Sequence, residues 1–335
     1  MTQQGKDKIT TKKCDSRKLR YLLLAFSVFL LLTACAADQQ KLQKSEPAQA
    51  CCEATVPIVT KAPDAASDTS VKIEELKQAL LANEVPGEWF DAQIRHKNFQ
   101  LHPSMGQYFQ KAAEKQIDHD KKLDASWYFN HHGVDAKIER GKSFIKTYPD
   151  ILQQAEAKHG IHKELIAAII GMETNFVDSG QRGSFSAFNA LVSQYVFTER
   201  KDFAVREITA LYKFADMTGR APHDFTGSYA GAIGWGQFIP SSLLDFFIDA
   251  NGINKDMDPF SVDDTIFSVE NYLYHHQLSG EHINHYESRY QAVFAYNHSD
   301  VYVQAVLYIY DGLRNAPAGK ALKKEDKEWG GIPNI

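Results

Sequence analysis

Apolar positions fall into three regimes along this chain. Leu22 to Leu32 is a short apolar run interrupted only by Ser27, preceded by Lys6, Lys8, Lys12, Lys13, Arg17, Lys18 and Arg20. From Ala36 to about Ser70 the residues are mostly Ala, Gln, Lys, Glu, Asp, Ser and Pro, too poor in large apolar side chains to bury the surface that folding needs. From Val71 onward the spacing becomes helical. It predicts an amphipathic helix over Ile73 to Leu81, a mixed aromatic one over Trp89 to Gln110, and a polar-faced one over Pro149 to His159 ended by Gly160. Leu165 to Met172 is apolar on every side, so a helix there belongs inside a core. Glu199 to Asp216, Ser241 to Ala250, Val262 to His276 and Val301 to Arg314 carry further helix-compatible spacing, and few stretches alternate as strands do. The expectation is a mainly α fold of about 260 residues, one domain with room for a smaller lobe.

The basic segment and its apolar run have the layout of a bacterial-type export signal. The run falls short of the ~20 residues that span a bilayer as a helix. Leu32-Thr33-Ala34-Cys35 resembles a lipoprotein cleavage box, in which the cysteine becomes the lipidated first residue. The expected organisation is a signal peptide at 1–34, a tether at 35–70, a folded domain at 71–318 and a C-terminal tail at 319–335. Cys35 would anchor the chain to a membrane. Ala36 and Ala37 resemble the sorting positions of outer-membrane lipoproteins facing the periplasm of a Gram-negative cell. Removing residues 1–34 takes away seven Lys/Arg and two Asp/Glu and moves the formal charge from −5 to −10, which argues against a nucleic-acid partner. Cys51 and Cys52, adjacent and within the tether, suit neither a disulfide framework nor a metal site.

Candidate chemistry concentrates in two places. Glu173 is the first ionisable residue after the apolar run, and a carboxyl at the edge of a core loses hydration, which raises its pKa toward that of a general acid. Taken alone, it reads first as a helix-end Glu in an ion pair or hydrogen-bonded to a backbone amide. About fifty residues later, Gly227 to Ser242 reads GSYAGAIGWGQFIPSS, uncharged and glycine-rich. Ser228, Tyr229, Trp235 and Gln237 offer the hydroxyl, amide and ring surfaces that suit a sugar, while tight helix packing is the alternative role for the glycines. No Lys-Ser/Thr follows them, so the stretch is not a phosphate loop. A third segment, Phe294 to Ser299, adds Tyr296 and Asn297 and precedes a helix carrying Tyr302.

Three blocks in this order, Ile169 to Phe176, Gly227 to Ser242, and Tyr296-Asn297-His298-Ser299 with Tyr302, resemble the membrane-bound lytic transglycosylase B family. The resemblance covers residues 75 to 315. It implies a lysozyme-like helical core with an accessory helical region and a small extra lobe, acting on peptidoglycan glycan strands. It places the single acid/base on Glu173 and substrate contacts on Ser228, Gln237, Tyr272, Tyr296, Asn297 and Tyr302. Tyr128 matches an upstream active-site tyrosine, and Trp235 stands where some relatives have Tyr. Val177 departs from the glycine usual after Phe176, which touches the turn beyond the acid and not the acid itself. Some relatives carry a calcium loop where this chain has Asp249, Asn251 and Asp258, but Ile253 occupies an expected ligand place, so no cofactor is expected. His275, His276, His282 and His285 lack a HExxH or a thiolate pair and read as a solvated helix end rather than a zinc site.

The reaction this implies is cleavage of the β-1,4 bond between N-acetylmuramic acid and N-acetylglucosamine without water, with Glu173 as acid and then base, leaving a 1,6-anhydro end. A hydrolytic muramidase and an inactive glycan-binding lipoprotein are the competing expectations.

Overall fold

A computed structural model describes residues 65–111, 125–253 and 255–314 of the chain. The expected signal peptide, Cys35, nearly all of the expected tether, Cys51, Cys52 and the expected C-terminal tail lie outside them. The chain begins with α1 (Ala65–Leu81) and α2 (Gly87–Ile94), followed by α3 (Ala125–His132), α4 (Val134–Thr147), α5 (Pro149–His159) and α6 (Lys163–Thr174). A two-residue strand β1 (Phe185–Ser186) leads into α7 (Ala187–Phe197) and α8 (Lys201–Thr218). A 3-10 turn at Pro222–Asp224 precedes β2 (Thr226–Gly227). Then come α9 (Pro240–Phe246), α10 (Val262–His275), α11 (Tyr286–Tyr296) and α12 (Asp300–Leu313). The fold is mainly α, as the spacing predicts. Among the described residues the one sheet is the antiparallel β1–β2 pair, with Phe185 opposite Gly227 and Ser186 opposite Thr226.

The helix that carries Glu173 lies at the centre. Every residue of α6 from Leu165 to Gly171 is buried, and α4, α5, α10 and α12 wall it in. Such an all-round apolar helix is stable only when surrounded on all sides. On the other flank α8 packs against α7 and α9, and α7 is itself buried from Ala187 to Val196. Pro149 at the first turn and Gly160 at φ 75° bound α5 where the sequence places its ends. No helix among the described residues is long and apolar enough to cross a membrane.

Two predicted helices come out shorter. Trp89 to Gln110 is divided: α2 stops at Ile94, and helix resumes at residues 105–111. Pro103 cannot sit inside a continuous helix, and the intervening loop is held instead to α7, by His102 N–H on Ser193 Oγ (2.9 Å) and Asn189 Nδ2 on Asn98 O (2.8 Å). The helix expected to reach Ala250 ends at Phe246, because Ile248 pairs through both its N–H and its C=O with the Ser268 hydroxyl of α10. The polar-faced α3 and α4, the buried α7 and the weakly patterned α11 were not apparent from spacing.

Candidate active site

Glu173 is the penultimate residue of α6, two residues before the helix is capped by Asn175 in the left-handed region. The chain then stays left-handed, with φ of 52°, 63° and 61° at Asn175, Phe176 and Val177. This double-back folds the Phe176 ring over Gly171, where a Cβ would stand 2.3 Å from a ring carbon, so only glycine fits. The Glu173 residue is half-buried, while protein atoms crowd its carboxyl.

Tyr302, buried on α12, donates its hydroxyl to Glu173 Oε1 at 2.6 Å. Loss of hydration pushes the Glu173 pKa up to about 7, against the hydrogen bond from Tyr302 and the charge of Lys137, which both favour the ionised form. Its charge is felt in turn by Tyr128 on α3, raised to about 12 chiefly by burial, and by Tyr296 and Tyr302, raised well above the ordinary phenol by burial first. The acid is thus ringed by neutral phenols. None of the charges reaching Glu173 comes from another carboxylate among the described residues.

The glycine-rich stretch is a small folded unit, bridged at Gly227–Ile233 and Ile233–Phe238. Gly227 is required: a Cβ there would lie 1.6 Å from Ala232 O. Ser228 closes the turn, its N–H donating to Ala232 O (2.9 Å) and its Oγ accepting from Ala232 N–H (3.2 Å). Two bonds fasten the unit beside the acid. Thr174 Oγ1 donates to Trp235 O (2.8 Å), and the Tyr296 hydroxyl donates to Gly236 O (2.6 Å). Gln237, at φ 50°, donates its amide to Arg182 O (3.1 Å) and Gly234 O (2.8 Å). The Trp235 indole donates to Phe260 O (2.6 Å), and the Arg182 guanidinium lies over both the Trp235 and Phe260 rings, at 4.9 and 4.6 Å.

The structure therefore gathers Glu173, Tyr128, Tyr296 and Tyr302 in one place, with the Gly227–Ser242 unit tied to the end of α6. Tyr272 stands behind them, buried and edge-on to Tyr296 at 4.8 Å, its hydroxyl donating to Ala295 O at 2.7 Å. Asn297 is exposed and ends α11. In the loop where some relatives carry calcium, Asp249 Oδ1 accepts from Asn251 N–H and Asn251 Oδ1 from Ile253 N–H, while Asp258 pairs with Arg220 at 2.5 Å. Two of those oxygens serve the loop's own turns and one an ion pair, Asp249 Oδ2 is left without a hydrogen bond among the described residues, and no cluster of three or more His, Cys, Asp or Glu among those residues is arranged to hold a metal. His276 meets Tyr272 O and His282 meets Ser279. Sequence reasoning missed Lys137, buried on α4, whose ammonium donates to Gly171 O (2.7 Å) and Asn175 Oδ1 (3.2 Å). Its position on the stripe Val134-Lys137-Gly141-Phe144, all buried, is the signal that was available.

This arrangement has known counterparts. The fold is that of lytic transglycosylases: SltB3 from Pseudomonas aeruginosa aligns with a TM-score of 0.60 at 18% identity, covering 74% of this chain and 80% of that one. The soluble lytic transglycosylase SltB1 from the same organism aligns with a TM-score of 0.59 at 21% identity, covering 73% and 98%. In sequence, the chain is 32% identical over 143 residues to the membrane-bound lytic murein transglycosylase B of Escherichia coli (strain K12). That match covers 42% of this chain and 38% of the relative, so it spans well under half of either. The family described as Transglycosylase SLT domain matches residues 68–289, and the chain belongs to it.

Proposed function

We propose that this protein is a peptidoglycan lytic transglycosylase that cuts the N-acetylmuramic acid–β-1,4–N-acetylglucosamine bond and leaves a 1,6-anhydro end. The observation that carries the proposal is the state of Glu173, a carboxyl with a pKa of about 7, bonded to Tyr302 and facing no second carboxylate among the described residues. Two-carboxylate glycosidases use a nucleophile or a second base. Here one group does both jobs. Protonated, Glu173 gives its proton to the glycosidic oxygen as the bond to the muramyl carbon breaks. The muramyl acetamido group stabilises the electron-poor carbon, as in substrate-assisted enzymes. The Glu173 carboxylate, steadied by the Tyr302 hydroxyl, then takes the proton of the muramyl O6 hydroxyl as that oxygen closes on the same carbon. Glu173 ends as it began, and no water is consumed.

The neutral phenols and the glycine-rich unit suit such a substrate, whose hydroxyl and acetamido groups need uncharged partners and whose ring faces lie on aromatics. Tyr128, Tyr296 and Tyr302 border the acid, Ser228, Trp235 and Gln237 line the unit beside it, Tyr272 backs Tyr296, and Asn297 offers an exposed amide. Two findings on relatives support the reading: SltB3 has been solved in complex with NAG-anhNAM-pentapeptide, and the E. coli relative is named for murein. The lipid on Cys35 and the periplasmic face of the outer membrane complete the proposal. Cys35→Ala is expected to release the chain into the soluble fraction.

Mass spectrometry of digested peptidoglycan is the test of the reaction. An anhydro product is one water lighter than the reducing-end product. Accumulation of the hydrated form alone makes the enzyme a muramidase, and absence of either from an intact, folded sample makes it a binding protein.

A further inference from the structure

We propose that Lys137 is a positioning residue for Glu173, closing the last turn of the helix that carries the acid and supplying the positive charge that steadies its carboxylate between the acid and base steps. The inference rests on the reading of Glu173 as acid/base. Lysine is seldom buried without an anionic partner, yet Lys137 is 7% exposed and its ammonium touches only neutral groups, Gly171 O at 2.7 Å and Asn175 Oδ1 at 3.2 Å. Capping a helix carbonyl is a task that a neutral amide performs at a smaller desolvation cost. An ammonium kept inside the core points to an electrostatic role.

The geometry gives that role a target. The two groups that Lys137 holds bracket Glu173 in sequence, Gly171 two residues before it and the left-handed cap Asn175 two residues after it. A cation at the C-terminal end of α6 also lies where the helix dipole favours positive charge. The titratable groups facing Glu173 are Tyr128 from α3, Tyr296 from α11 and Tyr302 from α12, all held neutral, and Lys137 from α4. Lys137 is therefore the one cation acting on Glu173 among the described residues. The influence is mutual: Glu173 favours the charged form of Lys137, against burial first and the neighbouring Arg140 second, which bring the lysine down to about 8. Both groups titrate close to neutrality, so each protonation change at one is sensed by the other.

The experiment is a titration of the Glu173 carboxyl by 13C NMR and of the Lys137 ammonium by 15N NMR, with kcat against pH measured on the same samples. In the wild-type chain the Lys137 resonance should show a second inflection at the Glu173 midpoint. Lys137→Gln, which retains a donor for Gly171 O without the charge, should raise that midpoint by about one pH unit. The basic limb of kcat should move up with it, kcat should drop about tenfold and KM should stay nearly constant. Lys137→Arg should keep the wild-type midpoint and recover much of kcat. A Lys137 resonance blind to the Glu173 step overturns the proposal even if no variant folds. A Glu173 midpoint unchanged in a folded Lys137→Gln chain overturns it too. Failure of the transglycosylase reading looks different, since the anhydro product would be missing while the shift of the midpoint stands.

Discussion

Glu173 at the end of α6 and Glu270 within α10 both lose much of their hydration, and burial pushes both carboxyls above the usual range. Their surroundings then diverge. The Glu270 side chain is fully buried and receives the His159 imidazole from α5 at 2.7 Å, and the Tyr274 ring covers that histidine at 3.6 Å. Nothing from outside reaches it. Glu173 is bonded by one phenol, feels one cation at a remove, and keeps a side open to solvent. Burial alone makes a carboxyl that prefers its proton. A functional acid also needs an unfilled approach, and Glu173, half-buried at the end of α6, keeps one where Glu270 does not.

Replacing the two acids should give opposite results. Glu173→Gln keeps the shape and the Tyr302 bond but has no proton to give, so turnover should fall at least about 100-fold while glycan binding persists. Its stability should move the other way. Folded Glu173 holds its proton up to about 7 against an ordinary 4.5, so its contribution to stability is full below the lower value and is lost as pH rises through the upper one. At pH 8 the Gln variant should therefore be more stable than wild type by up to about 3 kcal/mol, and the gap should close near pH 4. Thermal melts at the two pH values check this. An acid whose loss costs activity without this pH-dependent gain is not the desolvated group described here.

Tyr302→Phe sharpens the same contrast. Removing the hydroxyl takes away a bond that favours ionised Glu173, so the acid should hold its proton to still higher pH and turnover should drop about tenfold. The basic limb of the pH–rate profile, followed on purified peptidoglycan, should shift upward. At Glu270 the expected signature is reversed. His159→Ala strips the partner from a buried carboxyl whose Oε2 already has no hydrogen bond among the described residues, and should cost about 1–3 kcal/mol of stability. Activity of the protein that remains folded should stay within about twofold. A large loss of kcat in a fully folded His159→Ala sample would show that the two acids are coupled.

How much of this was legible in the sequence follows from the same physics. The run from Leu165 to Met172 was readable because a helix without a polar face has only one place to be, and it carried Glu173 with it. The glycines at 227, 231, 234 and 236 read first as a backbone lining that a ligand could approach, with tight packing as the alternative role, and the unit does clamp itself through Ser228 and Gln237. What spacing could not give was the work of individual polar atoms. Ser228 and Gln237 spend hydrogen bonds on their own loop and on Arg182 O, and Tyr272 turns its hydroxyl inward to Ala295 O. Lys137 was hidden for a related reason. A charge in a polar-looking helix reads as solvated until packing of α4 on α6 turns it inward. The loop at residues 95–104 and the early end of α9 depend on contacts with α7 and α10, which local patterns do not encode.

The smallest expected effect concerns the strain stored on the Glu173 side of the comparison. Glu270 sits mid-helix, whereas Glu173 is followed by Val177 at φ 61°, a conformation that costs an L-residue about 1–2 kcal/mol and a β-branched one most of all. Val177→Gly relieves that cost but frees the unfolded chain and removes a side chain that packs partly against the core. The balance should be a gain of about 0.5 kcal/mol, a rise in Tm of about 1–2 °C. The direction of the activity change separates two roles for the strain. If the turn only delivers Glu173, kcat should stay within about twofold. If the stiff left-handed run is what keeps the approach to the acid open, the more flexible glycine should lower kcat while leaving the Glu173 midpoint in place.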